Sequence, residues 1–314
     1  MILLPLLFGL MFVLIALVSG NNLSVCTGAL IGSRISSKRT GISIAVLGFA
    51  LGLFLQGAFL KRGVVAIVPV SSVPLLIIVL SIAVAVFLLS DKLRVPQSLS
   101  INFTSMLLGM SIALHNVVNW YFLALIIAFW VLVPLASIFS MPFIMHYVER
   151  AAQKGSVWKK VHAIKLLLVV VSFFTAFTLG ANTLGFLYEA LPSFGISTYK
   201  LVVAIAAIIV GGVFLSGGEV RRVGNDIISM RYLNSIMSQA VSAIEVEVAT
   251  LFGVPLSNTQ TFTASLYGIG YGYKTRLMKK KPAYTILFMW IGGALLSFAL
   301  SFALVSLASI SGII

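Results

Sequence analysis

The chain has 314 residues, 60% of them hydrophobic and only 9% charged, with a mean hydropathy of +1.14. An ordinary soluble domain carries about 25% charged residues, so that class is excluded. The net charge of +14 falls in short clusters between apolar runs, such as Arg34, Lys38 and Arg39 or Lys279, Lys280 and Lys281; membrane proteins place Lys and Arg this way against an anionic cytoplasmic surface, which sets aside a nucleic-acid reading.

In chain order, runs long enough to cross a hydrocarbon core of ~30 Å, about 20 helical residues, occupy 2–19, 42–60, 64–90, 117–148, 163–180, 198–216, 236–252 and 283–312. They are continuously apolar, not alternating with period two, so they read as helices and not as barrel strands. The first run lacks a basic leader and passes directly into a polar segment, as a first spanning helix does and a signal peptide does not. The single cysteine, Cys26, excludes an intramolecular disulfide and a cysteine metal cluster. His115, His146 and His162 stand at the ends of runs, too far apart for a helical metal pair, and read as interfacial. No metal and no cofactor is expected.

Four polar motifs interrupt this apolar chain, and they come in two pairs. Val95-Pro96-Gln97-Ser98-Leu99-Ser100 through Gly109 aligns with Val254-Pro255-Leu256-Ser257-Asn258-Thr259 through Gly268, at an offset of 255 − 96 = 159. Ser19-Gly20-Asn21-Asn22 aligns with Gly180-Ala181-Asn182-Thr183 at 182 − 21 = 161, and Trp130 with Trp290 at 160. Three landmarks agreeing within two residues predict a duplicated architecture. The first repeat spans 1–150 and the second 166–314, with a basic connecting segment over 151–165. An odd number of crossings per half inverts one repeat against the other and brings the motifs together near the midplane.

Each motif carries helix-breaking punctuation. Pro96 and Pro255 suit a first helical turn, and Asn21 and Asn182 suit an N-cap, so all four read as starts of re-entrant or broken half-helices. Free N–H groups, hydroxyls, amides and a positive dipole end suit an oxyanion. The competing reading is that such side chains bond their own helix or glue neighbouring helices.

At these residues the sequence resembles the inorganic phosphate transporter family, whose inverted halves each carry a Gly-Ala-Asn-Asp and a Gly-Leu-Pro-Val-Ser-Thr-Thr-His signature. Gly217-Gly218-Glu219-Val220-Arg221-Arg222-Val223-Gly224 and Val118-Asn119-Trp120 resemble further family segments, so the likeness runs over nearly the whole chain. It implies a secondary transporter of inorganic phosphate, coupled to a proton or sodium ion, multi-pass in the cell membrane and dimeric. The substrate-binding residues so implied are Asn21, Asn22, Ser98, Ser100, Asn182, Thr183, Ser257, Asn258 and Thr259. The family's acidic residue after Asn is here Asn22 in one half and Thr183 in the other, which leaves sulfate, a passive anion channel or a phosphate sensor as alternatives. Candidates for cation or proton coupling are Glu245, Glu247, Glu189 and Gln260. Glu245 and Glu247, two apart on a helix, cannot face the same side. Asp91 and Asp226 stand beside basic residues at run ends and read as solvated. The sequons Asn22-Leu23-Ser24 and Asn102-Phe103-Thr104 fall inside membrane motifs and are coincidental. No catalytic constellation is present, so the chain is expected not to be an enzyme.

Overall fold

The computed structural model describes residues 3–32, 35–68, 72–93, 98–153, 157–191, 197–215, 232–272 and 280–311. Every regular element among them is helical: α1 (Leu3–Gly32), α2 (Lys38–Gln56), a 3-10 turn (Gly57–Leu60), α3 (Lys61–Ile67), α4 (Val73–Leu93), α5 (Leu99–Ala113) and α6 (Trp120–Gln153). There follow α7 (Val157–Leu179), a π turn (Gly180–Leu184), α8 (Gly185–Glu189), α9 (Ser197–Phe214), α10 (Tyr232–Leu251), α11 (Asn258–Gly272) and α12 (Lys280–Ile310). Seven helical stretches are long and apolar enough to cross a membrane. The protein is a multi-pass membrane protein of all-α class.

Two expected runs are divided differently. The run at 42–60 continues through the 3-10 turn into α3, and the run at 64–90 is divided, since α3 ends at Ile67 and α4 begins at Val73. Pro74 sits in the first turn of α4, where its missing N–H costs nothing.

α5 and α11 are 15 residues each, about 22 Å at 1.5 Å per residue, too short to cross alone. They start 258 − 99 = 159 residues apart, the offset of the sequence repeat. The packing repeats too. α1 lies on α9 as α7 lies on α2; α5 lies on α12 as α11 lies on α6; α1 meets α4 as α7 meets α10. Each short helix is therefore seated on the long helix of the other half.

Hydrogen bonds fix the direction of travel. Ser111 Oγ, near the end of α5, donates to Ile67 O at the end of α3 (2.6 Å), and Asn119 N–H, at the start of α6, donates to Ala66 O (2.8 Å). The ends of α3 and α5 and the start of α6 thus share one face, hereafter the first face, while α4 and α6 run away from it. Counting α5 as a pass, α1 to α6 make five passes, an odd number, and the second half begins on the opposite face. The repeats are inverted.

α10 differs from the other long helices. Asn234, Ser235, Ser238, Gln239, Ser242 and Thr250 are all buried in it, and their spacing of three, four and seven or eight puts most of them on one side. That polar stripe faces the interior of the bundle, where Gln239 Nε2 donates to Val25 O (2.7 Å) and Thr250 Oγ1 to Val246 O (2.8 Å), while Ser238 Oγ and Gln239 Oε1 have no partner among the described residues.

Candidate functional site

Ser98 caps α5, its Oγ accepting from Ile101 N–H (3.3 Å). Two residues on, Ser100 Oγ donates to Leu256 O (3.2 Å), a bond spanning 156 residues. The two Pro-Ser motifs, one from each half, therefore touch. Trp130 Nε1 donates to Pro255 O (2.8 Å) from α6, so the approach to α11 is gripped from two helices of the other repeat.

The second repeat grips it as well. Asn182, fully buried in the π turn, donates through Nδ2 to Thr250 Oγ1 (3.0 Å) and Val254 O (2.9 Å), and its Oδ1 accepts from Leu256 N–H (2.9 Å). Upstream, α10 ends in a Schellman turn: Val254 N–H donates to Ala249 O (2.9 Å) and Gly253 N–H to Thr250 O (2.8 Å). Gly253 has φ +72°, which a glycine adopts without strain.

α11 begins past this brace. Ser257 O accepts from Gln260 N–H (3.1 Å) and Thr261 N–H (3.2 Å), and the Ser257 and Thr259 hydroxyls lie 2.9 Å apart. Pro255 stands two residues ahead of the Ser257 cap, not in the first helical turn; its carbonyl is committed to Trp130, which holds the chain extended there. Pro96 lies outside the described residues, as do Gln97 and the segment 217–224 with Asp226. Ser242 Oγ of α10 bonds Asn258 Oδ1 and the Thr261 hydroxyl. Asn258 Nδ2 and Gln260 Oε1 are buried with no partner among the described residues: one free donor and one free acceptor at the start of the same helix.

The Asn motifs depart from the expected helix starts. Asn21 and Asn22 are half-buried inside unbroken α1. Gly20 gives close approach to α9 instead of a break, since a Cβ there would stand 2.9 Å from Gly211 O. In the second half the helix is interrupted by the π turn, yet Asn182 braces a neighbouring loop and caps nothing. π turns of this kind recur at functional sites. Thr183 is buried beside Asn182. Self-bonded hydroxyls, the competing reading, do occur: Ser19 to Ile15 O, Thr27 to Leu23 O and Thr175 to Val171 O.

The candidate acids separate. Glu245, half-buried on α10, faces α6, where Ser137 Oγ lies 2.7 Å from Oε1 and 2.6 Å from Oε2. Glu247 is half-buried, with Oε2 unpartnered among the described residues. Glu189 ends α8, beside the residues that buried Lys200 engages: its Nζ donates to Leu191 O and stands 3.9 Å from the Tyr188 ring centroid. Sequence reasoning missed Thr250, Ser242, Ser137 and Lys200. The three-to-four spacing of Ser235, Ser238, Ser242 and Glu245 was the signal for Ser242.

The model of the phosphate transporter family matches residues 149–301. The chain is 24% identical over 295 residues to a protein named as a phosphate permease of Methanocaldococcus jannaschii, covering 93% of each. It is 28% identical over 312 residues to the sulfate permease CysP of Bacillus subtilis, covering 96% of this chain and 86% of that one. A solved structure of a sodium-dependent phosphate transporter shares the fold at a TM-score of 0.80 and 17% identity, covering 99% of this chain and 100% of that one. The resemblance read from the motifs is borne out.

Proposed function

Proceeding from the kinship of this chain with the phosphate transporter family, a family of transporters and not of enzymes, we propose that it is a secondary transporter of inorganic phosphate, coupled to a proton or sodium ion, in the cell membrane. The observation that carries this reading is the Ser100 to Leu256 bond, because it unites two half-helix starts from inverted halves. Donors around that contact, with Asn258 Nδ2 unspent, suit an oxyanion that must be released again. Asn21, Asn22, Ser98, Ser100, Asn182, Thr183, Ser257, Asn258 and Thr259 are its proposed surroundings. Asn182 acts there by bracing the loop. Alternating access moves one set of helices against the other around this point.

Topology follows from charge. The helix ends that flank the basic stretches of the sequence, Gly32 and Lys38, Gln153 and Val157, Phe214 and Tyr232, Gly272 and Lys280, belong to the face opposite the first face, so that face is cytoplasmic by the positive-inside rule. Residues 1–150 and 166–314 serve as the two repeats with 151–165 joining them, and a homodimer is the assembly the family resemblance supplies.

A second reading, sulfate, has its own support. The sulfate permease is among the relatives, and Asn22 and Thr183 stand where the family pattern has carboxylates. Protonated phosphate carries O–H donors that need acceptors, whereas sulfate only accepts. Uptake of labelled phosphate into proteoliposomes, with unlabelled sulfate as competitor and imposed pH or sodium gradients, tests both. Accumulation of phosphate under one gradient supports the first reading; sulfate accumulation without phosphate uptake replaces it with the second; no accumulation of either removes transport.

A further inference from the structure

We propose that Glu245 is the proton carrier of this transporter, exchanging one proton per cycle with the cytoplasmic face through the seam between α6 and α11; the proposal rests on the transport reading above. Ser137 has one hydroxyl hydrogen, which can donate to one carboxylate oxygen at a time, yet both oxygens lie within 2.7 Å of its Oγ. The second short contact is favourable when the carboxyl itself carries a proton and donates it back to Oγ, since O–H···O contacts near 2.6–2.7 Å belong to charge-assisted or acid pairs. The site is built to hold a proton between two partners.

Among the described residues no counter-charge stands beside the carboxyl. α10 packs against α6, α7, α11, α1, the π turn and the 3-10 turn. The titratable or charged groups described on these are Tyr121, His146, Tyr147, Glu149 and Arg150 on α6, His162 and Lys165 on α7, Tyr267 and Tyr271 on α11 and Cys26 on α1, with Glu247 on α10 itself. Tyr267 OH is buried, with no partner among the described residues. The cations among them, Arg150 and Lys165, stand at the cytoplasmic ends of their helices, and Arg150 is about 20 Å from Ser137 at 1.5 Å per residue. Hard metal cations gather several oxygen ligands, whereas Glu245 is offered one hydroxyl. A proton fits this poverty of ligands.

Repeat symmetry makes the same point. Ser137 recurs as Ser297 at 297 − 137 = 160, buried and with its Oγ unpartnered among the described residues. The position matching Glu245 is Val86, at 245 − 86 = 159. One half has acquired an acid that the other lacks. One helical turn nearer the cytoplasmic end of α10 stands Ser242, which bonds Asn258 and Thr261 at the anion motif. Farther in the same direction, the seam ends in a cavity of about 170 Å³ lined by Pro142, Met145, His146, Glu149, Ile269 and Gly272, which supplies exchangeable groups at the cytoplasmic mouth. In each cycle an O–H bond forms on the Glu245 carboxylate and breaks again on release; no electrons move.

The test uses the full chain in proteoliposomes, with labelled phosphate or sulfate as the probe and a pH dye inside. Wild type is expected to accumulate the anion under an inward proton gradient and to acidify the lumen. Glu245→Gln is expected to lose that accumulation by about tenfold or more, while anion-for-anion counterflow at fixed pH persists with an unchanged KM. Ser137→Ala should shift the pH profile of uptake, and Glu247→Gln should leave it in place. Retained proton-driven accumulation in Glu245→Gln overturns the proposal, as does loss of counterflow together with uptake, which marks a structural role. Absence of both modes in wild type instead sinks the transport reading itself.

Discussion

Asn182 and Leu256 are 74 residues apart in sequence and 2.9 Å apart at the bond between Oδ1 and N–H. A single amide from a π turn thereby holds the backbone that leads into α11. Asn182→Ala is expected to orphan the Val254 carbonyl and the Leu256 N–H at a cost of about 3 kcal/mol, each buried group costing roughly 1–3 kcal/mol. Thermal unfolding in detergent measures this, and uptake should disappear with it. Asn182→Asp keeps the acceptor for Leu256 and loses the donors, so it should fall between.

Gly253 offers a sharper probe of the same loop. Its φ is +72°, and a Cβ would stand 2.9 Å from Phe59 O and 3.2 Å from Arg62 Cβ. Gly253→Ala is expected to destabilise by about 1–2 kcal/mol from backbone strain alone, with the clash adding to it. A thermal midpoint equal to that of wild type would show that the Schellman turn does not need its glycine.

His115 holds the equivalent left-handed place at the end of α5, with φ +54° and bonds from its N–H to Ile112 O (3.1 Å) and from Asn116 N–H to Ser111 O (2.9 Å). It is exposed, and no side-chain contact among the described residues offsets the strain. His115→Gly should raise stability by about 0.5–1 kcal/mol, strain relief outweighing the added entropy of the unfolded chain. Uptake should be unchanged.

Lys200 is 2% exposed and closes the end of α8 by donating to Leu191 O while lying over Tyr188. Lys200→Met should lower stability by about 2 kcal/mol through the lost charged donor and cation–π contact. Lys200→Arg should not restore it, because a planar guanidinium cannot take the place of a point ammonium in so closed a site. Stability measured by thermal unfolding decides both.

The repeat was legible because its markers are local: Pro and Ser six residues around Ser98 and Ser257 announce the two short helices, and the offset carries over into the packing. The partners of those motifs were not legible. Asn182 reads as a cap when only its neighbours are known, since its three bonds reach 68 to 74 residues away. Ser137 is unremarkable in an apolar helix until Glu245 arrives from 108 residues on. The π turn had no signature either: residues 180–184 differ little in type from those at 20–24, where α1 runs unbroken.

The exchange of partners between halves, α5 seated on α12 and α11 on α6, also bears on how the chain is made. While the first half leaves the ribosome, α5 has no long helix to lie against and α6 has no short one. Both must wait in the insertion machinery or in lipid, α5 from Ala113 until its partner begins at Lys280, 280 − 113 = 167 residues on, and α6 from Gln153 until its partner begins at Asn258, 258 − 153 = 105 residues on. Biogenesis is therefore committed late. Damage to the last two helices strands the first half in the bilayer with its polar motif uncovered, a ready target for membrane quality control.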